Sequence, residues 1–502
     1  MTPQATNHAE HAAIDAPGGH PTQDGTESPG NACLNNRGDR GMDRDPKDDE
    51  YKQFIDRKSQ VGCDHGFDPV WMPSALFPFQ VALVEWALRK GRAAIFADCG
   101  LGKTPMQLVW AENVARKTDG RVLILTPLAV AFQTVREGEK FGVEVKHRRE
   151  GMVAGDRIVV TNYERLHYFR PEDFAGVVCD ESSILKNFDG ETRKAITDFM
   201  RKRPYRLLCT ATAAPNDYIE LGTSSEALGE MGAQDMINRF FKKSTTTTSA
   251  RQEHMAGIYV MRAHAERDFW RWVCSWSRSM RKPSDLGFDD GAFRLPPLNV
   301  RQHTVRADRP RDGYLFDLPA VGLAEQRSDL RRTIDERCDM AAELCNAHSD
   351  PAVAWCNLNE EGNRLARSIR GAVEVSGNDP EQHKERTFAG FVNGEVRVLV
   401  TKPTIGGFGL NLQHCAHQTF FPSHSYEQYY QSVRRCWRFG QKRPVTVDMV
   451  TTEGQDNVLA NLQRKAAAAA SMFDNLVGMM RNELRIQRHN DYTMKEEAPR
   501  WL

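Results

Sequence analysis

Short, almost uninterrupted apolar runs alternate with longer mixed segments between residues 70 and 225. The runs are AAIFA (93–97), VLIL (122–125), RIVV (157–160), VVC (177–179) and RLLC (206–209). Runs of this length that lack polar alternation suit the strands of a parallel sheet covered on both faces. The rhythm returns with AVAWC (352–356), VEVS (373–376), VRVLVT (396–401), QTFF (418–421) and VTVDMV (445–450), and helices fit Gly362–Ile369, Glu381–Val392 and Tyr426–Trp437. Two β-α alternating blocks predict two parallel-sheet α/β domains, at 68–225 and 331–465. The stretch 226–330 breaks the rhythm. It carries Trp270, Trp272, Trp276, many arginines and the Pro296–Pro297 break, and reads as a mostly helical insertion and connector. Residues 466–502 read as a C-terminal helix and tail, with Ala466–Ala470 part of a long helix. Thr245–Thr248 reads as a loop.

Length and charge refine this picture. At roughly 150 residues per domain, 502 residues allow three domains, or two with appendages. Residues 1–50 hold ten acids and four bases and almost no large apolar side chains. They bury too little to offset ordering entropy, so 1–55 is expected to be a disordered acidic tail. Lys+Arg and Asp+Glu are both 67, which excludes a polycation but leaves room for a local basic groove. No apolar run approaches the roughly 18 residues of a membrane span, and no signal peptide opens the chain. Eleven cysteines without a C-x-x-C pair suit a reducing compartment, so the expected location is a bacterial or host cytoplasm, with no membrane partner. Cys63 near His65 lacks a second ligand pair and reads as a free thiol.

The chemistry concentrates in five places. ADCGLGKT, at Ala97, Asp98, Cys99, Gly100, Leu101, Gly102, Lys103 and Thr104, stands between a predicted strand and a predicted helix, the context of a phosphate loop. Its glycines let backbone N–H groups wrap a phosphate, Lys103 supplies a point charge, and Thr104 can ligate Mg²⁺. Downstream, VVCDESS places Asp180 and Glu181 after a strand. There Asp180 can hold the metal shell and Glu181 can polarise an attacking water. Gln80, in LFPFQ, can read an adenine edge through its amide. Thr210 and Thr212, in TAT, end a strand and can relay the γ-phosphate state. Finally QSVRRCWRFGQ (431–441) spaces Gln431, Arg435 and Arg438 at +4 and +7, on one predicted helix face. ATP and Mg²⁺ are the implied cofactors.

ADCGLGKT, DESS, TAT, TIGGFGLNLQ and QSVRRCWRFGQ stand in the order found in helicase superfamily two. The GLGKT, GGFGLNL and QxxxRxxRxGQ forms resemble its Swi/Snf-type branch of double-stranded DNA translocases. The connector MRKPSDLGF…LPPL resembles the branch's link between motor halves. Compact length and DESSILKN resemble small phage and prophage relatives. The resemblance covers about 70–465. It implies two RecA-like domains, an ATP cleft between them, and a nucleic-acid partner, DNA before RNA. A replication, recombination or repair partner is also open. It implies that Gln80 and the loop bind ATP, and that Lys103, Asp180, Glu181, Arg435 and Arg438 serve hydrolysis. Gly409 and Gln431 would line the cleft, and Thr210 and Thr212 would couple ATP to motion. Thr126, Pro127, Asn162, Tyr163 and Thr401 would touch the nucleic-acid backbone. TKPTIGGFG departs from the branch's STRAGGLG, which puts coupling through Lys402 and Pro403 in doubt.

The expected function is therefore an ATP-driven motor that translocates on DNA, double-stranded first. A strand-separating DNA or RNA helicase is the alternative, and an ATP-gated nucleic-acid scaffold with little turnover the more remote one. Trp272 and Trp276, at i and i+4, suit a packed helix face better than base stacking. RKRPYR (201–206) suits a phosphate grip and a solvated loop equally.

Overall fold

A computed structural model describes residues 64–127, 130–151, 155–186, 190–214, 217–243, 259–306, 323–407, 410–453 and 455–483. The acidic tail, Thr245–Thr248, Cys63, Gly409 and the C-terminal tail lie outside them. Each predicted apolar run in the first block is a strand. They are β1 (Arg92–Ala97), β2 (Val122–Thr126), β4 (Ile158–Asn162), β5 (Gly176–Asp180) and β6 (Tyr205–Thr210), joined by the short β3 (Val145–His147). With β9 (Ser277–Met280) they form a seven-stranded parallel sheet in the order β3-β4-β2-β5-β6-β1-β9. The pleat explains why the runs do not alternate. Leu123 and Leu125 enter the core on one face, while Val122 and Ile124 enter the core on the other.

The second block forms a six-stranded parallel sheet, β10-β15-β14-β11-β13-β12. Its strands are β10 (Leu298–Val305), β11 (Ala352–Trp355), β12 (Ala372–Val375), β13 (Val398–Thr401), β14 (His417–Phe420) and β15 (Val445–Thr452). Here too alternate residues serve opposite faces: Val353 and Trp355 on one, Ala352 and Ala354 on the other.

The 226–330 stretch is less helical than its sequence suggests. Besides its helices and a small antiparallel pair, β7 (Phe241–Lys243) with β8 (Tyr259–Met261), it supplies an edge strand to each large sheet. β9 pairs with β1, and β10 pairs with β15 along eight residues. β9 (SRSM) and most of β10 (LNVRQHTV) are too polar to stand out as buried strands; neighbouring strands, not their own apolar content, hold them. Trp270, Trp272 and Trp276 are all buried in the first domain's core, as a packed helix face requires.

The C-terminal helix, Asp456–Glu483, crosses from one domain to the other. Leu462 packs into the second domain's core; Met472, Phe473, Leu476, Val477 and Met480 pack into the first's. Tyr218 Oη donates to Ala468 O at 3.1 Å, and Arg281 pairs with Asp474 at 2.6 Å. The Ala466–Ala470 run lies between these anchors, inside the helix as expected. Among the described residues no helix is long and apolar enough to cross a membrane.

Candidate nucleotide site

β1 ends at Ala97, and the helix Lys103–Thr118 begins six residues later with Gly102 as its N-cap. The intervening turn needs its glycines. Gly100 and Gly102 have φ of 89° and 75°, and a Cβ on Gly102 would sit 2.2 Å from Gln80 Nε2. Lys103 Nζ donates to Ala97 O at 3.0 Å, so the ammonium lies over the loop it belongs to. Gln80 packs beneath. Its Nε2 donates to Leu101 O at 2.9 Å and its Oε1 accepts from Phe77 N at 3.0 Å. One end of that amide thus braces the loop and the other caps the start of its own helix, Pro78–Lys90.

Asp180 closes β5 and is buried. Gln107 Nε2, from the helix after the loop, donates to its Oδ1 at 2.6 Å, and the Tyr163 hydroxyl donates to its backbone carbonyl. Burial first, and then the adjacent Glu181 charge, push the Asp180 carboxyl up to about 6, with Gln107 and Lys103 acting the other way. Glu181 holds φ at 51°, in the left-handed region, which turns its side chain out of the strand direction. Thr210 Oγ1 donates to Glu181 Oε2 at 3.3 Å.

The second domain meets this surface with the helix Tyr426–Cys436. Gln431 Nε2 donates to Thr212 Oγ1, which donates to Glu427 Oε1, each at 3.4 Å. Lys186, just past the Asp180–Glu181 turn, also pairs with Glu427. Arg435 Nη2 reaches Cys99 Sγ at 3.7 Å. Arg438 differs from its sequence reading. The helix stops at Cys436, so Arg438 stands in the following turn rather than on the Gln431–Arg435 face. It still neighbours Arg435, Arg434 and Cys99. Burial first, then Arg435, hold it down to about 10, below the usual guanidinium range. Its Nη1 donates to Leu410 O at 3.4 Å, and among the described residues its buried Nε has no partner. Two crowded arginines, one with an unsatisfied buried donor among the described residues, make a basic cluster suited to an anion.

No family profile matches the chain. It is similar to the SWI/SNF-related matrix-associated actin-dependent regulator of chromatin subfamily A-like protein 1 homolog of Caenorhabditis elegans. The two are 22% identical over 429 residues, 77% of this chain and 60% of that protein. Helicase SWR1 of Cryptococcus neoformans var. neoformans serotype D (strain B-3501A) is 28% identical over 177 residues, 30% of this chain. The chain is thus similar in sequence to one SWI/SNF-related protein and to Helicase SWR1. It spans 14% of the length of the Cryptococcus protein. A solved structure titled Sulfolobus solfataricus SWI2/SNF2 ATPase core in complex with dsDNA aligns over 83% of this chain and 97% of its own, at 17% identity and a TM-score of 0.39. The curated relatives are fungal and nematode, and they lend no support to the expected phage kinship.

Three residues of this candidate site escaped the sequence reading: Glu427, Tyr430 and Arg434. Arg434 is almost wholly buried and pairs with Asp98 at 2.6 Å, and Tyr430 Oη donates to Asp98 Oδ1 at 2.5 Å. With Gln431 and Arg435 they occupy positions 427, 430, 431, 434 and 435, a helical i, i+3, i+4 stripe that the +4 and +7 spacing of a single motif does not reveal. The residues expected to touch nucleic acid are scattered differently. Thr126 and Asn162 are register partners at the ends of β2 and β4, both buried, each with a side-chain oxygen that has no partner among the described residues. Pro127 follows directly. Tyr163 is buried against Asp180, and the Thr401 hydroxyl donates to Val375 O at 2.8 Å inside the second domain. In this conformation Thr401 is a packing residue.

Proposed function

We propose that this chain hydrolyses ATP to translocate on DNA, with double-stranded DNA as its track. The observation that carries the reading is the buried Arg438, with an unpaired donor, beside Arg435 and across from the phosphate loop. Two α/β domains supply the two halves of one anion site. In this reading Lys103 and the loop N–H groups bind the phosphates. Arg435 and Arg438 stabilise charge on the γ-phosphoryl oxygens, and Glu181 orients the water. Thr104 and Asp180 would hold Mg²⁺, which neutralises phosphate charge; the carboxylate and hydroxyl donor set fits a hard cation. Thr210 and Thr212 lead from Glu181 toward Glu427 and Gln431, a route by which the nucleotide state can bias domain separation.

One relative's name, Helicase SWR1, agrees with a nucleic-acid motor, and grip on phosphates would carry little sequence information. The test is the ATP turnover of the full chain with double-stranded DNA, single-stranded DNA and RNA. Double-stranded DNA should stimulate most, and Lys103→Ala should bring turnover to background in every case. Equal stimulation by single-stranded RNA would favour the RNA-helicase alternative. Turnover above about a tenth of the wild-type rate in Lys103→Ala would remove the site assignment.

A further inference from the structure

Asp98 poses an electrostatic problem. A carboxylate stands inside a loop whose work, in the function proposed above, is to receive phosphates, and like charges there oppose binding. The fold resolves it from across the cleft. Asp98 Oδ2 pairs with Arg434 Nη2 at 2.6 Å, and Oδ1 accepts from Tyr430 Oη at 2.5 Å and from Cys99 N at 2.6 Å. Arg434 Nη2 also donates to Cys99 O at 3.0 Å. The side chains are 1% and 7% exposed. The guanidinium stands over the rings of Tyr430, Trp437 and Phe439 at 5.9, 4.9 and 5.6 Å, which fixes its plane. Trp437 is anchored by Nε1 to Pro296 O at 2.7 Å, and the Phe439 ring lies 3.2 Å from where a Gly100 Cβ would be.

We propose that Asp98 and Arg434 form an interdomain latch. Arg434 cancels the charge of Asp98 only when the domains are closed, and so makes the phosphate loop fit for ATP while setting its register against Arg435 and Arg438. The proposal rests on the ATPase reading. Arg434 is then a positioning residue, distinct in role from its neighbour Arg435. A buried pair of this kind adds little net stability over two solvated charges, but removing one member strands the other. That asymmetry gives the latch a signature. Loss of Arg434 leaves a bare carboxylate facing the phosphates, and removing that carboxylate as well relieves the harm.

The test is a double-mutant cycle in the full chain, with KM for ATP and kcat measured at saturating DNA for Arg434→Gln, Asp98→Asn and the double variant. Arg434→Gln should raise KM at least tenfold. The double variant should return KM to within about threefold of wild type, while kcat stays low because register is not restored. Multiplicative losses, or a double variant no better than Arg434→Gln, would overturn the latch. If Arg434→Gln does not fold by thermal melting, Tyr430→Phe removes only one hydroxyl from Asp98. It should raise KM in the same direction by a few-fold, and an unchanged KM would overturn the proposal. The two readings fail separately. A Lys103→Ala variant that still turns over ATP sinks the ATPase site itself, whereas an inert Lys103→Ala with a multiplicative cycle sinks only the latch.

Discussion

At the scale of single residues, the site is organised around charges that are costly without a ligand. Arg438 sits beside Arg435 with a buried Nε lacking a partner. A contact that matters chiefly as γ-phosphoryl charge develops should act on turnover rather than affinity. Arg438→Ala should therefore bind ATP within a few-fold of wild type while kcat falls about 10³-fold or more. Arg438→Lys should not restore it, since a point charge lacks the planar fork. Near-normal turnover would place this turn outside the reaction. Asp180 offers a second handle. Its carboxyl is pushed up to about 6, chiefly by burial and then by Glu181, so protonation favours the folded chain. That contribution is complete below about pH 4, the ordinary carboxylate value, and is lost as pH rises through 6. Asp180→Asn should abolish hydrolysis yet stabilise the nucleotide-free, metal-free protein by about 1–2 kcal/mol at pH 7.5. Chemical denaturation should show that gap narrowing as the pH falls through 6 toward 4, and a gap that is constant with pH would mean that Asp180 is not strained by its surroundings.

At the scale of elements, two helices set the relation between the domains. The helix Tyr426–Cys436 brings Glu427, Gln431, Arg434 and Arg435 to the first domain's loops. The helix Asp456–Glu483 starts in the second domain's core and ends in the first's. Any change in domain separation must bend this second helix, slide it, or part it from one core. Its far anchor is apolar, and Leu476 is 1% exposed among Met472, Phe473, Val477 and Met480. Leu476→Ala should cost about 2–4 kcal/mol through lost burial and the cavity left behind. Arg464→Ala, on the exposed side of the same helix, should stay within about 0.5 kcal/mol. Equal melting temperatures for the two variants would show that the helix does not dock on the first domain as described.

At the scale of the whole molecule, the zero net charge conceals a division of labour. Acidic excess collects in residues 1–50, so the remainder carries the basic excess that a nucleic-acid track would require. The two sheets are each parallel and each covered on both faces, so neither presents an open face for binding. Strand ends and the cleft between domains are left for ligands. The nucleic-acid panel tests this scale, because stimulation of turnover by a track needs both domains at once.

What the sequence alone determined follows from local physics. Uninterrupted apolar runs fix the central parallel strands, because both faces must be buried. The glycines of 97–104, the Asp180–Glu181 pair and the Gln431–Arg435 spacing mark the chemistry, because a phosphate loop and a helix face each need particular residues at short, fixed intervals. What only the tertiary structure decided lies where partners are remote in sequence. β9 and most of β10 are strands because β1 and β15 offer open edges, not because their own residues demand it. Arg438 leaves its helix because the chain turns at Trp437, which the +7 spacing does not reveal. Asp98, Tyr430 and Arg434 become one site only when two domains close, since a charge pair more than 300 positions apart has no local signature.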